Sequence, residues 1–128
     1  MFDKYAIVAD SLRNVTSGSG VTGYSVDTRI TYYRGLGLSM VDVALEVDGN
    51  AVPAGDITFT VHGNSYPADE MGEVLDDRWG FTEPATLTVR KPGGLAPGEH
   101  TVHFTEWLRV SYIPAPSETH DTKVLVVR

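Results

Sequence analysis

Hydrophobic residues recur at every second position along much of this chain, the period of strands with one buried face. Over residues 22–32, Tyr24, Val26, Ile30 and Tyr32 fall on one side, with Ser25, Asp27, Arg29 and Thr31 on the other. Val41, Val43, Leu45 and Val47 repeat the pattern against Asp42, Glu46 and Asp48. Ile57, Phe59 and Val61 form the next inward set, and Ala85, Leu87 and Val89 another. A longer strand over residues 99–113 aligns Val102, Phe104, Leu108, Val110 and Tyr112. Glu106 interrupts that face, which predicts a bulge or a paired buried carboxylate there. Residues 5–9 are a further short strand. The closing run Val124-Leu125-Val126-Val127 is apolar on both faces, which predicts a strand internal to a sheet.

The punctuation between these runs belongs to turns. Asp48-Gly49-Asn50 is a tight hairpin turn, because glycine accepts positive φ. Residues 91–98 are dense in Gly and Pro, and Pro53, Pro67 and the 114–116 segment mark strand ends. Residues 10–14 read as one helical turn or a bend, and 17–20 as a flexible loop. Only residues 67–81 lack alternation. That stretch is too short and acidic for an independent helix and is expected to be a structured loop with one helical turn. Seven to nine short strands without a long helix predict an all-β protein, an antiparallel β-sandwich of immunoglobulin-like or jelly-roll-like kind, with residues 1–128 as one domain.

Composition narrows the function classes. The chain has 128 residues, 41% of them hydrophobic, with 10 basic against 17 acidic residues and a net charge of −7. Such a balance disfavours nucleic-acid binding, which needs clustered Lys and Arg. No apolar run approaches the roughly 20 residues of a membrane span. The start of the chain carries no basic-then-apolar export pattern, and there are no cysteines, so no disulfide forms and a cytoplasmic location is expected.

The candidate chemistry is sparse. His100 and His103 have HxxH spacing, but an offset of three on a strand puts them on opposite faces and away from a shared metal. His62 and His120 have no ligand at metal spacing. Glu70, Glu73, Asp76 and Asp77 crowd one loop, where a solvated acidic turn is the simpler reading than a glycosidase pair or a calcium loop. No residue is assigned a catalytic or metal-binding role. Arg78-Trp79 admits two readings, an interface anchor or a tryptophan plugging one end of the sandwich. The segment from Tyr32 to Met40 mixes Tyr33, Arg34, Leu36, Leu38 and Met40 with two glycines, the composition of a contact surface.

Landmarks along the whole chain resemble one family. They are Met1-Phe2-Asp3-Lys4-Tyr5, Asp10-Ser11-Leu12-Arg13-Asn14-Val15, Tyr32-Tyr33-Arg34-Gly35-Leu36 with Leu38-Ser39-Met40, Asp69-Glu70-Met71, Asp77-Arg78-Trp79, Ala85-Thr86-Leu87-Thr88-Val89 and Pro92-Gly93-Gly94-Leu95-Ala96-Pro97-Gly98-Glu99-His100. In order and spacing these resemble the small β subunit of bacterial C-glycoside deglycosidases, formerly a domain-of-unknown-function family.

The resemblance implies a hetero-oligomeric lyase. Its larger α subunit would be a TIM barrel resembling sugar isomerases and epimerases and would hold a divalent metal, manganese. The complex would cleave the carbon–carbon bond between a sugar's anomeric carbon and an aromatic, flavonoid-like aglycone in 3-oxo-C-glycosides. No cofactor is expected in this chain. Tyr33, Arg34, Leu36, Leu38, Met40, Arg78 and Trp79 would face the partner or line its pocket. The rival readings are a stand-alone carbohydrate-binding module stacking sugars on Trp79, Tyr33 or Trp107, a self-contained enzyme using the acidic loop, and a purely structural assembly domain.

Overall fold

The computed structural model describes residues 6–18, 20–30, 36–74, 77–80, 83–109 and 117–127. Among the described residues eleven strands follow one another: β1 (Arg13–Ser17), β2 (Gly20–Thr28), β3 (Leu36–Gly37), β4 (Val41–Val47), β5 (Asn50–Ala51), β6 (Ile57–Val61), β7 (Asn64–Pro67), β8 (Arg78–Trp79), β9 (Ala85–Arg90), β10 (Gly98–Leu108) and β11 (Ser117–Val127). Three short 3-10 turns, Leu38–Met40, Ala54–Asp56 and Ala68–Glu73, are the helical elements among the described residues. The last supplies the helical turn expected in the acidic region.

The strands form a five-stranded sheet in the order β1-β2-β9-β6-β7, a four-stranded sheet in the order β11-β10-β4-β5 and a two-stranded β3-β8 pair. Every pairing is antiparallel. The two larger sheets bury their alternating faces in one cluster. Tyr24, Val26, Ile57, Phe59, Leu87 and Val89 come from one side, and Val43, Leu45, Val102, Phe104 and Leu125 from the other. The burial of β4 and β6 alternates without a break, as the sequence period predicts.

Two hairpins carry the backbone signature of type I′ turns. Asp48 and Gly49 have φ of 53° and 82°, and His62 and Gly63 have 56° and 78°. Positive φ at both central residues matches the right-handed twist of the flanking strands. Gly23 meets a different demand. A Cβ there would collide with the Val89 carbonyl, so only glycine lets β2 lie this close to β9.

Four expectations need correction or completion. Residues 13–17 form edge strand β1 rather than a bend and loop; none of its residues is fully buried, so it carries no alternation. Residues 6–9 make a single bridge, Ile7 to Thr28, rather than a strand. β11 is an edge strand and not an internal one. Its Leu125 and Val127 enter the core, but Val124 and Val126 are 59% and 45% exposed, so one of its two apolar faces is wet. Glu106 is completely buried, and β10 keeps continuous register past it on both sides, so there is no bulge.

The buried carboxylate Asp121 fixes β11 to the start of the chain. It accepts the Ile7 N–H at 2.8 Å and the Lys123 ammonium at 2.7 Å.

Candidate functional site

The sequence singled out two separate stretches as contact surface, and the fold brings them together. β3 and β8 pair with Leu36 opposite Trp79 and Gly37 opposite Arg78. The Leu38 N–H extends the contact by donating to the Asp77 carbonyl at 3.0 Å. Tyr32, Tyr33 and Arg34 lie outside the described residues, and the Leu36 side chain is likewise not described.

The remaining candidates divide by depth. Met40 is 41% exposed and Arg78 is exposed. Leu38 and Trp79 are 0% exposed, so neither presents its side chain to a partner or a sugar. Burial removes Leu38 from the expected contact residues and, for Trp79, selects the plug over the interface anchor. Trp79 is a plug: its ring meets Phe59 edge-on, with centroids 5.1 Å apart at 78°, and its Nε1–H donates to the Glu83 carbonyl at 2.8 Å. Leu38 sits on the buried side of its 3-10 turn.

A polar hub secures the loop carrying Arg78 and Trp79. His62, at the tip of the β6–β7 hairpin, lies between two carboxylates, with Nδ1 3.1 Å from Asp77 and Nε2 against Glu83. Asp77 also accepts the Tyr66 hydroxyl at 2.6 Å and the Arg78 N–H at 2.8 Å. These bonds, Tyr66 first, hold the Asp77 carboxyl down at about 2. The same two carboxylates, Asp77 first, raise the His62 pKa. Asp77 is therefore an organising residue of its loop, whereas Glu70 and Glu73 are exposed as expected of a solvated turn. Asp76 lies outside the described residues.

At another edge of the sandwich an open cavity of about 430 Å³ lies among the β4–β5 turn, residues 52–56 and the 91–96 loop. Tyr24, Val47, Val52, Val89 and Leu95 contribute apolar lining, while Asp48, Asp56, Arg90, Lys91 and His100 supply charge. Its size falls in the range of small-ligand pockets. Asn14 braces the loop by bonding both backbone groups of Leu95, each at 2.9 Å. His100 sets Nδ1 2.6 Å from an Asp48 carboxylate oxygen and Nε2 2.7 Å from the Ala96 carbonyl oxygen. With both ring nitrogens facing acceptors, its pKa is raised, by Ala96 first and Asp48 second. The hydrogen bond from His100, aided by the Thr101 N–H, lowers that of Asp48. Burial first, and the Asp48 charge second, push the Tyr24 phenol up to about 12.

His100 and His103 lie apart, as an offset of three on a strand requires. His103 instead meets His120 across the β10–β11 ladder, with ring nitrogens 3.1 Å apart. Separation by 17 residues hid this pair from any reading of local spacing. Among the described residues no three His, Asp or Glu side chains converge as metal ligands.

The fold defines a cysteine-free β-sandwich whose two proposed contact stretches meet at a small accessory sheet. A sequence profile of the C-glycoside deglycosidase beta subunit matches residues 2–112, and the chain belongs to that family. It is 36% identical over 114 residues to the C-glycoside deglycosidase beta subunit of Eubacterium cellulosolvens, covering 88% of this chain and 78% of that protein. It is 29% identical over 109 residues to the C-glycoside deglycosidase beta subunit of Arthrobacter globiformis, covering 80% and 83% of the two chains.

Proposed function

We propose that this chain is the accessory β subunit of a hetero-oligomeric C-glycoside deglycosidase, stabilising an α subunit and helping to shape its active site. The observation that carries this reading is the family match over residues 2–112, joined by two relatives with the same subunit name. In this proposal the α subunit is a TIM barrel related to sugar isomerases, and a divalent metal, manganese, in that partner would stabilise negative charge on the sugar. The substrate is a 3-oxo-C-glycoside with an aromatic aglycone. A ketone at C3 acidifies the C2 proton; its loss, with protonation at the aglycone carbon, breaks the bond between C1 and the aglycone by elimination.

The β3–β8 pair is the proposed partner-facing edge. Tyr33, Arg34, Leu36, Met40 and Arg78 would make the contact, with Leu38 and Trp79 supporting it from beneath. A sandwich seated over the C-terminal loops of a barrel would order those loops and exclude water. We place the complex in the cytoplasm; no helix among the described residues is long and apolar enough to cross a membrane. The buried Trp79 also removes one of the sugar-stacking platforms on which a stand-alone carbohydrate-binding module would rely.

The test is co-expression with the α subunit. The wild-type chain should co-elute with it and support cleavage of a 3-oxo-C-glycoside, and Tyr33→Ala with Arg34→Ala should weaken both. An α subunit equally active without this chain would overturn the accessory role. Full assembly and activity in the double variant would overturn the assigned edge.

A further inference from the structure

The outward face of the four-stranded sheet carries a chain of polar side chains that the subunit reading does not use. In the β10–β11 ladder His103 lies opposite Thr122 and Thr105 opposite His120, so the two histidines meet on the diagonal. Their ring centroids are 5.2 Å apart with planes tilted by 31°. His103 Nδ1 is 2.5 Å from the Thr122 hydroxyl. His120 Nε2–H donates to Glu118 at 2.9 Å, and Trp107 Nε1–H donates to the other oxygen of that carboxylate at 2.6 Å.

This arrangement fixes the chemistry of His120. A proton committed to Glu118 leaves Nδ1 with its lone pair. Two groups face that lone pair: His103 Nε2 at 3.1 Å and the Thr105 hydroxyl at 3.0 Å. If His103 instead gives its proton to Thr122 through Nδ1, two imidazole lone pairs confront each other, with Glu118 and Thr122 bonded behind them. A carboxylate or hydroxyl behind a ligating imidazole is the usual support of a metal-binding histidine, because it fixes ring orientation and tautomer.

The spacing suits a cation. Two nitrogens about 2.0–2.1 Å from one ion stand about 2.9 Å apart at a right angle and about 3.3 Å apart at the tetrahedral angle. The observed 3.1 Å lies between these values. The site is open to solvent, with the His120 and Glu118 side chains 48% and 52% exposed.

We propose that His103 Nε2 and His120 Nδ1 form a two-imidazole site for a borderline divalent cation such as Zn²⁺, Ni²⁺ or Cu²⁺. Water fills the remaining coordination positions. Imidazole nitrogens favour these ions over Mg²⁺ and Ca²⁺, which prefer oxygen. The cation replaces the proton shared by the two rings, and His103 moves its own proton from Nε2 to Nδ1, so no net proton is released. Glu118 is a positioning residue that holds His120 in the ligating tautomer. None of this depends on the subunit role proposed above.

Calorimetry of the full, metal-stripped chain with ZnCl₂ and NiCl₂ should show one cation per chain, and MgCl₂ should show none. His103→Asn or His120→Asn should abolish binding, while His62→Asn and His100→Asn leave it intact. Glu118→Gln should weaken binding about 10- to 100-fold, the usual effect of losing such a support. With CuCl₂, paramagnetic resonance should show coupling to two imidazole nitrogens, and ¹⁵N spectra of the wild-type rings should shift at His103 Nε2 and His120 Nδ1. That last measurement needs no variant and decides the question even if a substitution disturbs folding. No Zn²⁺ or Ni²⁺ binding at millimolar cation, or binding unchanged in both His103→Asn and His120→Asn, would overturn the site.

Discussion

Replacing Trp79 by alanine separates two roles for the loop that carries it. The side chain is completely buried, packs edge-on against Phe59, and donates one hydrogen bond to the Glu83 carbonyl. Truncating a buried tryptophan typically costs about 3–5 kcal/mol through lost transfer energy and the cavity left behind. The ring pair with Phe59 contributes about 0.5–1.5 kcal/mol beyond burial and the hydrogen bond about 1 kcal/mol, which places Trp79→Ala toward the upper end of that range. For a domain of this length each kcal/mol moves Tm by about 4 °C, so the variant should melt roughly 15–20 °C below wild type. Trp79→Phe retains the ring contact but loses the hydrogen bond and some volume. It should cost about 1–2 kcal/mol.

The assay is thermal and urea unfolding of the isolated chain, followed by circular dichroism and by the fluorescence of Trp107, the other tryptophan. A plug predicts the full loss of stability with no partner present. A surface anchor predicts an unchanged Tm in isolation and a loss that appears only on assembly. A Trp79→Ala chain melting within about 3 °C of wild type, less than 1 kcal/mol on this scale, would refute the core assignment.

Asp77→Asn should cost about 1–3 kcal/mol near neutral pH, because Asp77 accepts bonds from Tyr66, Arg78 and His62. Its folded pKa, about 2, lies below the ordinary 3.8, so this stabilisation is present above pH 3.8 and fades as pH falls toward 2. Urea midpoints of wild type and variant should converge over that interval; a constant difference would show that the charge is not responsible. The raised pKa of His62 has the opposite sign: its contribution is complete below pH 6.5 and is lost as pH rises through the folded value, which His62→Gln should remove. On β11, Leu125→Ala should cost about 2–5 kcal/mol, and Val124→Ala, 59% exposed, less than about 1 kcal/mol. Equal costs in urea unfolding would mean that both faces of this strand are covered.

The fold was legible wherever one face of a strand is buried and the other is wet. β4 and β6 satisfy that condition at every residue, and their alternation reappears in their burial. β1 violates it, since it lies at an edge with no fully buried residue and its ladder is a matter of backbone bonds to β2. β11 violates it in the opposite sense. Two apolar faces suggested cover on both sides, but hydrophobicity records what a side chain prefers and not what lies above it. Glu106 was recognised as anomalous because a carboxylate on an apolar face must either leave that face or be accommodated within it. The unbroken ladder shows that it stays.

The candidate site was harder to read because its contacts join residues remote in sequence. Tyr32-Tyr33-Arg34 and Arg78-Trp79 each set aromatic beside basic residues, and that likeness marks both stretches, which the β3–β8 ladder joins at Leu36–Gly37 and Arg78–Trp79. Composition alone did not tell which side chains point outward, and Leu38 and Trp79 point in. The histidines show the same limit more sharply. HxxH spacing drew attention to His100 and His103, yet the two are committed to different partners, Asp48 with Ala96 and Thr122 with His120. In an antiparallel ladder the distance between two side chains follows from register, so pairs that meet on the diagonal can have any sequence separation. Asn14 and Leu95 make the same point with backbone groups, 81 residues apart. In a sandwich of this kind the spacing that carries chemical meaning is measured across strands, and the sequence states it only once the register is known.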